Sequence, residues 1–137
     1  FMRHVSRSLI FSASMTPGTV AAVSRSIDIM LEEPQRIAHL WKITRLMQDG
    51  FRKMGFAIGV SETPIVPIFI GEMEDTFRMW RALTDNGLFV NPVVQPAVPP
   101  GECLIRTSYM ATHTERQMRD ALEIIEKVGR DLGILKS

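Results

Sequence analysis

PAVPPGECLIRTSYMATHT, residues Pro96–Thr114, runs through a proline and glycine loop, a short apolar segment, a single arginine and a polar turn. Leu104 and Ile105 favour extended backbone and Cys103 is small and apolar, so Cys103–Tyr109 reads as a buried strand. An arginine inside such a strand is costly to bury unless it meets an anion. Its planar fork matches a carboxylate through two parallel hydrogen bonds. Arg106 is therefore a candidate for holding an acidic group. The plainer alternative is an arginine at a strand end, paired with a nearby glutamate or solvated. After the turn, Thr114-Glu-Arg-Gln117 has the form of a capping box and opens a last helix. Met118, Leu122, Ile125, Val128 and Leu132 are expected to face inward on that helix, with Gly133 closing it.

Working back from Pro96, Leu88–Val94 is expected as a strand interrupted by Pro92. Glu72–Asn86 reads as a helix with Phe77, Trp80 and Leu83 inward, stopped by Asn86-Gly87. Pro64–Gly71 is apolar and β-branched. Its two prolines cannot donate to a sheet ladder, so the strand starts at Ile65 or lies at an edge. A helix over Gln35–Met54 carries an apolar stripe of Ile37, Leu40, Trp41, Thr44, Met47, Phe51 and Met54, with Gly50 a weak spot inside it. Thr16-Pro17 is a helix start, followed by Val20, Val23, Ile27 and Met30 on one face. The order helix, helix, strand, helix, strand, strand, helix implies an α+β two-layer sandwich, a small sheet covered on one face by helices.

With 137 residues the chain suffices for one core, and a formal net charge of +1 gives no electrostatic case for nucleic acid. One cysteine, Cys103, excludes an internal disulfide, and its place in a strand points to inert burial. No apolar run approaches the ~20 residues of a membrane span, and no signal peptide is visible, so the default setting is cytoplasmic. His4, His39 and His113 are too dispersed for a metal site.

Four stretches, in order, resemble the α-oxoamine synthases, pyridoxal-phosphate (PLP) enzymes that join an amino acid to an acyl-CoA with loss of carbon dioxide. They are RSLIFSASMTP (Arg7–Pro17), GFAIGVSETPIVPIFIG (Gly55–Gly71), NGLFVNPVVQPAVP (Asn86–Pro99) and the opening motif itself. The wording is most similar to the serine palmitoyltransferase-like branch, then to the 8-amino-7-oxononanoate synthase and glycine C-acetyltransferase branches. The resemblance implies the small C-terminal domain of a fold-type I PLP transferase, with a three-stranded, mainly antiparallel sheet. Residues 1–16 would form an interdomain segment and residues 17–137 the small domain. The chain is then expected to be the C-terminal third of a longer homodimeric enzyme. It also implies that Arg106 grips the amino-acid carboxylate, and that Phe11–Pro17 approaches the cofactor of the neighbouring subunit. Ser12 and Ser14 are the candidate cofactor-binding residues there, because Ala13 stands where several relatives carry threonine.

A PLP enzyme holds its cofactor on a lysine as a Schiff base. Lys42, Lys53, Lys127 and Lys136 all lack the serine-rich setting of the family's lysine, so no catalytic residue is expected in this chain, and the chain alone is expected to be inactive. His113 matches the family's A-x-H-T and is assigned a structural role at the helix start. Ser61–Pro64 and Val93–Val98 are candidate walls of the substrate mouth; equally, their prolines simply end strands. A stand-alone binding or regulatory module for an acidic metabolite is the competing reading of another class.

Overall fold

The computed structural model describes residues 1–10 and 15–135. Its backbone divides into two units, Phe1–Pro34 and Gln35–Ser137. The first holds two single-turn helices, α1 (Met2–Val5) and α2 (Arg7–Ile10), and the longer α3 (Pro17–Glu32). Thr16 caps α3 as its sequence implies: the hydroxyl accepts from the Thr19 amide at 3.4 Å, and Pro17 occupies the first turn, where a missing N–H costs nothing. No residue of α3 is buried, and Val20, Val23, Ile27 and Met30 are all exposed.

The second unit contains α4 (Gln35–Met54), β1 (Ile65–Gly71), α5 (Met73–Asp85), β2 (Asn91–Val93), β3 (Cys103–Ser108) and α6 (Glu115–Asp131). The strands form one antiparallel sheet in the order β1-β3-β2, so β3 is central. β1 begins at Ile65 and is also an edge strand. The Phe69 amide, two residues beyond Pro67, points off the free edge to Ala57 O at 2.8 Å, so the N–H that Pro67 lacks would also have faced outward. α5 packs on all three strands, and α4 and α5 both pack on α6. One continuous core results, with Phe51, Ile43, Met47, Ile68, Ile105 and Ile125 essentially inaccessible.

Buried polar groups in this unit are satisfied locally. Thr44 Oγ1 donates to Leu40 O, Thr76 Oγ1 to Glu72 O, and Gln48 Nε2 to Ser61 O. The capping box at α6 is complete: Thr114 Oγ1 accepts from the Gln117 amide, and Gln117 Oε1 accepts from the Thr114 amide. Gly87 and Gly133 have φ of 85° and 70°, the left-handed conformation in which the two helices before them end.

Four expectations need correction. Ile37 is 42% exposed, because α4 buries nothing before Ile43 and its first turns run past the core. In α5 the buried line is Thr76, Met79 and Leu83. Phe77 is displaced to the flank, where it meets Trp80 edge-on at 6.4 Å. In α6 the buried residues are Met118, Ala121, Ile125, Val128 and Gly129, with Leu122 and Leu132 half-buried beside them. The second strand is only three residues long and contains Pro92, which an edge position permits. At Gly50 a Cβ would lie 2.7 Å from the Leu122 methyls, so a larger residue there would oblige that half-buried side chain to shift.

Candidate functional site

β3 alternates. Cys103, Ile105 and Thr107 are buried, whereas Leu104 is half-buried and Arg106 and Ser108 are exposed. A strand with one covered face shows this period of two. The expectation of a strand buried throughout is therefore overturned, and with it the reasoning that Arg106 is a buried cation in need of an anion. Arg106 stands on the open face of the sheet, opposite the face the helices cover. Its cross-strand neighbours are Pro67 on β1 and Asn91 on β2. Leu104 lies across from Phe69 and Val93, and Ser108 across from Ile65.

Of the plainer alternatives, the structural ion pair is not found among the described residues, whereas a solvated arginine agrees with the exposure of Arg106. Among the described residues, the acids that pair do so elsewhere: Asp75 with Arg78, Asp85 with Arg81, Glu126 with Arg130 and Glu115 with Lys42. Among the described residues, none makes a hydrogen bond or ion pair with the Arg106 side chain. The open face thus presents one unneutralised guanidinium among apolar and neutral polar side chains, an arrangement suited to a carboxylate.

The covered side behaves differently. Thr107 Oγ1 donates to Val66 O at 2.8 Å, so its oxygen accepts from the Tyr109 hydroxyl at 2.7 Å. Burial pushes the Tyr109 phenol far above its ordinary value, and the Thr107 bond only partly offsets this. A cavity of about 400 Å³ opens beside these residues, lined by Leu88, Val90, Tyr109, His113 and Ile125 among others, and Arg106 is not part of it. His113 Nδ1 accepts the Met110 amide at 3.2 Å, and its carbonyl accepts from His39 Nε2 at 2.8 Å, which ties the turn before α6 to α4. Ser61 is likewise local, its hydroxyl donating to Ile65 O at 2.6 Å. Cys103 is buried and free.

Ser12 and Ser14 lie outside the described residues, as does Lys136. The described lysines do not fit a Schiff-base site, which needs a desolvated amine. Lys42 pairs with Glu115 on the helix surface, and Lys53 and Lys127 are exposed. Glu115 is held below the usual glutamate range chiefly by its hydrogen bond from Lys42. No group of three or more metal-ligating side chains occurs among the described residues, and none of their helices is long and apolar enough to cross a membrane. Asn91, which sequence reading treated only as part of a strand, now stands beside Arg106. Its signal was that it is the one hydrogen-bonding side chain in Leu88–Val94.

A three-stranded antiparallel sheet with helices on one face agrees with the small-domain layout that the family resemblance implies. The aminotransferase class I and II family model matches residues 1–125, and the chain belongs to that family. Its relatives are α-oxoamine synthases. Serine palmitoyltransferase of Sphingobacterium spiritivorum is 47% identical over 93% of this chain and 32% of its own length. The 8-amino-7-oxononanoate synthase of Symbiobacterium thermophilum is 38% identical over 96% of this chain and 34% of its own. Among solved structures, serine palmitoyltransferase with its PLP internal aldimine matches at a TM-score of 0.86 and 34% identity, over 96% of this chain and 34% of that one. The Sphingomonas wittichii serine palmitoyltransferase matches at 0.87 and 33%, over 98% of this chain and 34% of that one. The chain spans about a third of the length of the relatives it matches.

Proposed function

We propose that this chain is the substrate-carboxylate side of a PLP-dependent α-oxoamine synthase that condenses an amino acid with an acyl-CoA, with decarboxylation. Identity is highest to serine palmitoyltransferases, which favours serine and a long-chain acyl-CoA over the substrates of 8-amino-7-oxononanoate synthase. In this reading residues 1–16 are the interdomain segment and residues 17–137 the small domain of a cytoplasmic homodimer. Ser12 and Ser14 approach the partner subunit's cofactor. PLP supplies the electron sink for the amino acid's α-carbon, and polypeptide outside this chain holds it.

The observation that carries the reading is the unpaired Arg106 on the open sheet face. A fork with no internal acid keeps both of its parallel N–H groups for an incoming carboxylate. Gripping that carboxylate fixes the orientation of the α-carbon's bonds, which is how a binding group lowers a barrier without taking part in chemistry.

The test is Arg106→Ala in the full-length synthase, followed through amino-acid and acyl-CoA kinetics separately. The amino-acid KM should rise ~100-fold or more, or turnover should vanish, while any residual activity keeps its acyl-CoA KM. An amino-acid KM unchanged by Arg106→Ala would remove the carboxylate role.

A further inference from the structure

The open face holds a second polar side chain in reach of whatever Arg106 binds. Asn91 on β2 is the direct cross-strand partner of Arg106. Opposed residues in an antiparallel pair project from the same face with Cβ atoms ~5 Å apart. On the other side of Arg106 stands Pro67, which offers no donor. The next pairs along the face are Val93 with Leu104 and Ile65 with Ser108. Asn91 is half-buried, and its carboxamide makes no hydrogen bond to any described residue. An edge-strand amide set beside a guanidinium, neither engaged by a described residue, leaves both side chains able to donate to one acceptor.

We infer that Asn91 is a second ligand of the carboxylate held by Arg106, its Nδ2 donating to an oxygen that the arginine fork leaves with spare lone pairs. A carboxylate presents about four acceptor positions, and a bidentate arginine uses two. A neutral amide adds a directed bond without cancelling the guanidinium. An aspartate at the same position would pair with Arg106 and close the site. This inference rests on the carboxylate reading of Arg106 and adds a residue that selects for the carboxylate group itself.

The experiment measures binding by calorimetry to the PLP-loaded full-length enzyme, with L-serine and with ethanolamine, which lacks the carboxylate and offers no acceptor in its place. Asn91→Ala should weaken L-serine about 5- to 30-fold and leave ethanolamine within two-fold. Asn91→Asp should weaken L-serine further, ~100-fold or more, because its own carboxylate occupies Arg106. Acyl-CoA KM and melting temperature serve as controls and should stay near the parent values in both variants. L-serine affinity within two-fold of the parent in both variants would overturn the inference, and so would equal losses for L-serine and ethanolamine. Arg106→Ala in the same series separates the two readings. If it binds L-serine normally, the carboxylate site as a whole is wrong. If it loses affinity while the Asn91 variants do not, only the role of Asn91 falls.

Discussion

The two faces of the sheet share a backbone and almost nothing else. On the covered face Val66, Ile68, Cys103, Ile105 and Thr107 are buried, and the one polar group among them is hydrogen-bonded. On the open face Arg106, Ser108, Ile65 and Phe69 reach solvent, and Arg106 has no partner among the described residues. Alternate residues of β3 thus face opposite surroundings, one set the core and the other solvent, where the proposed recognition role lies. The sharpest attempt to break that division compares adjacent residues. Ile105→Ala removes a fully buried side chain from the centre of the core and should cost about 2–5 kcal/mol in urea unfolding of the chain. A loss below about 1 kcal/mol would mean that the covered face is not the source of stability.

Thr107 tests the same face through hydrogen bonding. Thr107→Val keeps the shape but removes the side-chain bond to the Val66 carbonyl and leaves the Tyr109 hydroxyl without its acceptor, and should destabilise by about 1–3 kcal/mol. Tyr109 supplies an independent optical probe, because it is the chain's single tyrosine. Its phenol is raised in the folded state by burial. The proton is then held more tightly by the folded chain than by the unfolded one. The contribution to stability is full below the ordinary phenol value of about 10 and is lost as pH rises beyond it. Phenolate absorbance should therefore stay silent past that pH and appear only with unfolding, whereas in Thr107→Val it should appear together with an earlier alkaline transition. Phenolate forming at its ordinary pH in a folded chain would show Tyr109 to be solvated.

Local signals carried the helices further than the faces. Thr16-Pro17, Thr114 with Gln117, Gly87 and Gly133 each act within one turn, and each marks the helix boundary it implied. The β3 faces were harder, because Leu104, Ile65 and Phe69 are apolar residues on the open side and blur the period of two. The phase of α5 slipped for the converse reason: Thr76 is polar yet buried, having satisfied its hydroxyl on Glu72 O. Arg106 drew notice as a lone cation in an apolar run, but the burial that made it an anion candidate is not found, and its proposed role comes from the family resemblance. Asn91 stood out only as the one hydrogen-bonding side chain in Leu88–Val94, and its place beside Arg106 was not legible. Its meaning depends on the register between β2 and β3, set by a loop and a pairing separated in sequence, and no local pattern encodes that.

The smallest expected effect is the most informative about the division. Arg106→Ala should change the unfolding free energy of the chain by no more than about 0.5 kcal/mol. The side chain is exposed and makes no ion pair, so its removal leaves no buried charge and breaks no bond. Only the contact of its aliphatic stem with neighbours on the open face is forfeited. The same substitution is expected to cripple amino-acid binding in the full-length enzyme. A residue that stability does not need and binding cannot spare is the signature of a site, and Ile105 next to it should show the reverse. If Arg106→Ala instead destabilises the chain by more than about 1 kcal/mol, the guanidinium is holding structure together. The open face would then be a second packing surface, and the contrast between the two faces would collapse.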